Sequence, residues 1–313
     1  MKETFFATLS PMLVLFCCMV IGFMLNKKKI CPQNTAAVLS KLETTVLCPA
    51  LIVSTFCRYC TVASLKLNAE SVLYSLLAVG VAVGLSCLLS CAFAKKGYTR
   101  SIYKYALAFG NFGFMGYALV PAILGEEALY GYMLFCLPVN LAAYTWGATI
   151  LIPDGIQKGS PLKKLLNPTV FAVALGMLLG LSGLSAHLPA FVTDTCDSLG
   201  SCMGPVAMVL TGFIVANYPL KEMVNKGRIY IAAVLRLFVL PAVFFTGLKL
   251  LGADRTTILM AFFVYATPLG LNTVVFPAAY GGDTTIGASM ATISHTVCVL
   301  TIPLMFALLN III

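Results

Sequence analysis

Asn111-Phe-Gly-Phe-Met-Gly-Tyr-Ala-Leu-Val-Pro121, closed by Gly125, sets an asparagine, two glycines and a proline inside an otherwise apolar run. A second such stretch, Thr267-Pro-Leu-Gly-Leu-Asn272-Thr-Val-Val-Phe-Pro277, closes with Gly281. Pro121 and Pro277 are 156 residues apart, as are Gly125 and Gly281, in a chain of 313 residues. The two stretches therefore occupy equivalent points of two equal halves. Proline removes a backbone donor and clashes with the preceding turn, and glycine lets the chain leave helical geometry. Each stretch reads as an interrupted helix, and interruptions at corresponding points of two halves point to a binding site between them.

The rest of the chain says where those helices sit. Sixty per cent of residues are hydrophobic and 10% are charged, and the mean hydropathy is +0.97. Soluble domains carry roughly 25% charged residues, so this chain belongs in a bilayer. Phe5 to Leu25 ends in Asn26-Lys-Lys-Lys29 without a small-residue cleavage site. It reads as a spanning segment with a cytoplasmic anchor and not as a signal peptide. The net charge of +9 has the same origin, and without an aromatic-laced basic stripe nucleic acid is not expected as a partner.

Ten runs approach the roughly 20 apolar residues that a spanning helix needs: 5–25, 34–57, 70–94, 103–123, 128–152, 165–186, 197–217, 227–251, 255–278 and 284–310. Residues 153–164 form a polar linker between two five-span halves, 1–152 and 165–313. One set of alternate loops carries thirteen Lys and Arg: 27, 28, 29, 95, 96, 100, 104, 158, 163, 164, 221, 226 and 228. The other set carries five, at 2, 58, 66, 249 and 255. The richer side is expected to be cytoplasmic, which puts both termini outside. An odd number of spans per half turns the second half upside down. The 156-residue offset also aligns Pro49 with Pro205, Gly131 with Gly287 and Glu127 with Asp283. The expected fold is all-α, with ten transmembrane helices in two inverted five-helix repeats and helices 4 and 9 broken and crossing near the midplane.

Non-helical backbone survives in hydrocarbon only where protein or a watery cavity covers it. Two broken helices that cross bring four half-helix ends together, and the N-terminal ends offer free amides and partial positive charge to a carboxylate. The candidate substrate-binding residues are Asn111, Gly113, Gly116 and Pro121 in the first break and Pro268, Gly270, Asn272 and Pro277 in the second. Asn140 follows the first break in the fifth span. The offset places Asn111 opposite Thr267 and Asn272 opposite Gly116, so the halves are not expected to contribute equivalent side chains.

The run Gly113-Phe-Met-Gly-Tyr-Ala-Leu-Val-Pro-Ala-Ile-Leu-Gly-Glu-Glu127, leading into Asn140, resembles the fourth-to-fifth helix region of the auxin efflux carrier family. Ala266-Thr-Pro-Leu-Gly-Leu-Asn272 and Ala279-Tyr-Gly-Gly-Asp283 are similar to that family's ninth-helix crossover. Leu39-Ser-Lys-Leu42 with Leu47-Cys-Pro-Ala-Leu51 resembles its second helix. The resemblance implies a scaffold of helices 1, 2, 6 and 7 and a transport domain of helices 3–5 and 8–10, moving relative to each other. It also implies small organic acids as substrates, and it matches Asn111 and Asn272 to the family's crossover asparagines. The chain lacks the long central hydrophilic loop of many plant members, which points to a prokaryotic-type permease.

Ionisable groups inside spans are functional candidates. His295 in the tenth span, Arg236 in the eighth and Lys41 with Glu43 in the second are the candidates for ion or proton coupling, with H+ or Na+ as the candidate coupling ion and uniport driven by the membrane potential as the alternative. His295 also reads as a hydrogen-bonded packing residue, Arg236 as a snorkelling or structural cation, and the Lys41–Glu43 pair as interfacial. Asn217 and Asn140 read as polar glue between helices. Glu126 and Glu127 read as loop charges.

Two histidines, one of them His187 in an outer loop, furnish no nucleophile–base set, so no catalytic residues and no enzyme are expected. Cys57-Arg-Tyr-Cys60 has redox or zinc spacing, but no second pair accompanies it, and the twelve cysteines read as membrane thiols with no metal or cofactor. A Walker A motif is absent. The expectation is a secondary transporter of small organic anions, mono- or dicarboxylates, in the cytoplasmic membrane. The competing class is a channel or non-transporting sensor of the same fold. Beyond the anion and the bilayer, the candidate partner is a second copy in a homodimer.

Overall fold

A chain this apolar must pair its backbone groups internally, and it does so with helices. The computed structural model describes residues 1–153, 167–219, 221 and 227–312. Among these there are helices and one isolated β-bridge. We number the helices α1 (Lys2–Lys27), α2 (Thr35–Tyr59), α3 (Val62–Phe93), α4 (Tyr98–Ala108), α5 (Phe114–Leu124) and α6 (Glu126–Ile150). They continue as α7 (Pro168–Leu181), α8 (Ala190–Val215), α9 (Gly227–Leu250), α10 (Arg255–Ala266), α11 (Asn272–Ala279) and α12 (Thr285–Ile312). Seven of them, α1, α2, α3, α6, α8, α9 and α12, are long and apolar enough to cross a membrane, and α5, α7 and α10 are shorter apolar helices. Most of the 153–164 linker, with Lys158, Lys163 and Lys164, lies outside the described residues, as does Lys226.

Several boundaries differ from the sequence reading. The run read as 70–94 belongs to a helix that begins at Val62, because Thr61 and Ser64 form a reciprocal capping box there. The run read as 197–217 belongs to a helix that starts at Ala190. The runs 103–123 and 255–278 are each two helices, α4 with α5 and α10 with α11. In both, the chain leaves helical geometry upstream of the proline used to locate the break. Phe109 and Thr267 are extended; Thr267 is held there by the following Pro268, which disfavours helix in the residue before it. Pro121 and Pro277 lie inside α5 and α11, each at the expense of a single intrahelical bond.

Small residues decide which helices meet. α1 crosses α8 so closely that a Cβ on Gly22 would collide with the Val209 carbonyl, and one on Gly212 with the Met19 carbonyl. α2 lies on α7, where Gly176 and Gly180 face Phe56 and Cys60, and on α8, where Gly200 faces Leu51. α3 presents the stripe Ser71, Ser75, Ala78, Ala82, Ser86 and Ser90 and packs on α4 and α6, the small-residue pattern of membrane helix contacts. α9 packs against α10 and α12. The set α1, α2, α7, α8 meets the remainder where α5 lies on α8, with Gly204 against Ala118, and where α1 lies on α12.

The α1–α8 crossing is expected to be the least tolerant helix contact. Gly212→Val should overpack it by at least about 1–3 kcal/mol and lower the melting temperature of the detergent-solubilised protein. Gly84→Ala, on α3 where an added Cβ meets nothing, should be neutral or gain about 0.5–1 kcal/mol from the reduced chain entropy of alanine. Equal melting temperatures for the two variants would show that the crossing is loose.

Candidate functional site

The two helix breaks touch each other. Gly110 and Leu269 form an antiparallel bridge, and the Asn111 amide donates to the Pro268 carbonyl at 2.8 Å. The Leu269 amide donates to the Ser294 hydroxyl on α12 at 3.1 Å. The approach is close because both strands carry glycine. A Cβ on Gly110 would meet the Arg236 guanidinium and Thr267, and one on Gly270 would sit 3.1 Å from the Gly110 carbonyl.

Arg236 organises the crossover from behind. It is fully buried in a π-turn of α9, Leu235–Val239. Its Nε donates to the Thr267 carbonyl at 3.2 Å, and Nη2 to the Val264 carbonyl at 2.9 Å. Nη1 donates to Leu107 and Ala108 at 3.2 and 3.4 Å. One guanidinium thus serves the C-terminal carbonyls of both α4 and α10, the groups a helix leaves without partners. The Tyr265 ring lies under it, 5.7 Å from Cζ. No carboxylate pairs with it among the described residues, so its charge is set against helix C-termini, whose dipoles favour a cation.

The opposite ends of the break open α5 and α11, and their first turns border a small cavity. The cavity measures about 40 Å3 and is lined from the breaks by Gly110, Asn111, Phe112, Gly113, Gly270, Leu271 and Asn272. Across from them stand Asn140 and Tyr144 of α6, Tyr117 of α5, and Thr44, Cys48, Thr169 and Met203 from α2, α7 and α8. Among the described residues, no Asp, Glu, Lys or Arg lines it. Asn272 is oriented by its Nδ2 donating to the Tyr105 hydroxyl at 2.7 Å.

Asn111 and His295 form a matched pair. His295 Nδ1 lies 2.8 Å from the Ala291 carbonyl, which can only accept, so Nδ1 carries the proton. In the neutral ring Nε2 then accepts from the Asn111 amide at 3.0 Å. Protonation of Nε2 would place two donors face to face unless the amide turned over.

Of the sequence candidates, Asn111, Gly113, Asn140, Gly270 and Asn272 line the cavity, and Pro268 supplies its carbonyl to the bridge between the breaks. Gly116 does not line it. It packs where any Cβ would strike the Tyr132 hydroxyl, and that hydroxyl donates to the Phe112 carbonyl at 3.0 Å. Pro121 borders a different chamber and Pro277 is buried in α11. Arg236 and His295 stand behind the site, Lys41 is exposed on α2, and Glu43 is fully buried. Thr44, Cys48, Tyr117, Tyr144, Thr169 and Met203 went unread in the sequence, because a lone threonine, tyrosine or methionine at helical spacing looks like packing. The same holds for Tyr105.

Larger chambers flank the centre. One of about 730 Å3 lies between α1, α2, α5 and α8, reaches Arg58, Glu126 and Asp197, and shares Tyr117 with the central cavity. Another of about 260 Å3 shares Thr44, Tyr144 and Thr169 and runs to Phe276 and Tyr280. The Tyr144 and Phe276 rings meet edge-on at 6.5 Å.

The sequence profile of a family described as membrane transport proteins matches residues 7–306. An uncharacterized transporter of Methanocaldococcus jannaschii is 28% identical over 202 residues, which cover 62% of this chain and 64% of that protein. The chain thus matches just under two thirds of that relative's length.

Replacing Arg236 by methionine removes the donor from four carbonyls at once. At about 1–3 kcal/mol for each buried group left unpaired, Arg236→Met is expected to lose most of its folded protein in size-exclusion and thermal-melt assays. Arg236→Lys, a cation without the planar fork, should recover part of the loss. A melting temperature equal to the parent's in Arg236→Met would remove Arg236 as the crossover's anchor.

Proposed function

The chain belongs to the membrane transport protein family, and from that premise we propose that it is a secondary carrier that moves small organic anions, mono- or dicarboxylates, by alternating access. The observation that carries the anion is electrostatic. Arg236 occupies the C-terminal ends of both broken helices, and the N-terminal ends of α5 and α11 face the cavity with no acidic residue in its walls among the described residues. Fixed partial positive charge in a desolvated site, with open amides, favours a carboxylate. Asn111 and Asn272 supply side-chain amides beside it, and His295 positions Asn111.

The carrier reading accounts for the chambers. The central cavity has room for no more than a few waters, while wider spaces lie on either side of Tyr117 and of Tyr144 with Thr44. A through-pore would join them, whereas alternating access needs each partition to open in turn. In this reading α4 with α5 and α10 with α11 are the fourth and ninth of ten spans in two inverted repeats. Helix packing supports a scaffold of α1, α2, α7 and α8 against a moving body of α3–α6 and α9–α12. The protein then lies in the cytoplasmic membrane with both termini outside and pairs as a homodimer. H+ or Na+ is its coupling ion, and no catalytic step is involved.

Flux in proteoliposomes tests this. Uptake of a recognised carboxylate should saturate and be competed by other carboxylates but not by the corresponding neutral amides. Asn111→Ala or Asn272→Ala should cut it at least tenfold, about 1.4 kcal/mol, in protein that remains folded. Flux that rises linearly with concentration would favour a channel, and unaltered uptake in both variants would dismiss the site.

A further inference from the structure

Two charged side chains are fully buried among the described residues, and they are treated oppositely. Arg236 has four carbonyl partners. Glu43 has no donor among the described residues within hydrogen-bonding distance of either carboxyl oxygen. It opens the π-turn Glu43–Leu47 of α2, which packs against α7 and both halves of α8. Such turns interrupt helices preferentially at functional positions.

Among the described residues, nothing on the elements around it can neutralise a carboxylate. α7 and α8 contain no lysine, arginine or histidine. The acids of α8 are Asp194 and Asp197, and Asp197 is engaged by Arg58 and Ser54 near the far end of α2. On α2 itself Lys41 is exposed and Arg58 is taken by Asp197, which leaves Cys48, one turn on, as the titratable group facing Glu43. α8 also carries Cys196 and Cys202, and α7 carries no titratable group. An ionised carboxylate buried without a partner costs several kcal/mol; the neutral acid avoids that cost. A metal ion would need a cage of ligands, and no cluster of three or more His, Cys, Asp or Glu side chains exists among the described residues. Thr44, the next residue, and Cys48 both line the crossover cavity, so water that enters with a substrate comes within a helical turn of the carboxyl.

We propose that Glu43 is a proton-binding site of the transport cycle, holding a proton on its carboxyl in the conformation described and while the anion is bound, and exchanging it with water through the cavity beside Thr44 and Cys48 on the side where the anion is released. The proposal rests on the carrier reading and assigns the coupling ion to the proton. One proton carried with one carboxylate cancels one unit of moved charge, which makes accumulation against an inside-negative potential feasible.

The infrared spectrum of the full-length protein in lipid nanodiscs reads the protonation directly and needs no substrate. The wild type should show the carbonyl stretch of a protonated carboxylic acid at neutral pH, and Glu43→Gln, isosteric with the neutral acid, should lack it. Superimposable spectra would overturn the assignment. Loss of the band on adding sodium chloride at constant pH would also overturn it, in favour of a cation site. In proteoliposomes the wild type is expected to take up substrate several-fold faster at acidic than at alkaline pH, a ratio that should fall to about one in Glu43→Gln and persist in Glu43→Asp. A pH dependence retained in Glu43→Gln would refute proton coupling there even where saturable flux upholds the carrier. Absent saturable flux in the wild type would refute the carrier and leave the infrared result standing.

Discussion

The guanidinium of Arg236 is the interaction on which the rest depends. Breaking a helix inside a membrane leaves carbonyls and amides that lipid cannot satisfy, at several kcal/mol for each group. Here two helices break side by side, and one planar fork serves the carbonyl ends of both. The cation takes the ends where helix dipoles welcome positive charge, which leaves the opposite, amide-bearing ends for the cavity. The shape of the site and the polarity of the helix ends that face it therefore have a single origin. A lysine could supply the charge but not the geometry, because its ammonium is a point donor on a flexible stem.

The small residues do the complementary task of holding this polar centre in a fixed frame. Gly22 and Gly212 bring α1 onto α8, and the serine–alanine stripe of α3 seats α4 and α6. Without a hydrophobic drive between helices in lipid, close backbone approach is what association draws on. The two groups of helices meet where α5 lies on α8 and α1 on α12, with Tyr117 and Tyr144 on the walls that separate the central cavity from its neighbours.

Much of this was legible in residue types, and some of the legibility misled. The glycines and asparagines of the two broken stretches did mark the crossover, and Asn111, Gly113, Gly270 and Asn272 line its cavity. The prolines at the matching offset located it several residues too far along, because a proline late in a short helix forfeits one bond without breaking the helix. Only Pro268, which forces Thr267 to be extended, acts at the break itself. Gly116 looked like a site residue and is instead a clearance for Tyr132. Lys41 and Glu43 read alike, as interfacial charges or coupling candidates, yet the side chains part, one to the surface and one into the protein.

Composition and the order of apolar runs were enough to determine that this is a helical membrane protein with two interrupted helices at equal spacing, and its sequence motifs placed it in the membrane transport family. Those properties are local or additive, since a run of apolar residues has few solutions in lipid other than a helix. Tertiary structure alone decided that Arg236 serves both breaks, that His295 engages Asn111, that Thr44, Tyr144 and Thr169 face them, and that Glu43 has no donor among the described residues. Each of those contacts joins residues whose separation along the chain carries no periodic signal. They arise from the packing of whole helices, and a pattern along one helix does not contain the position of another.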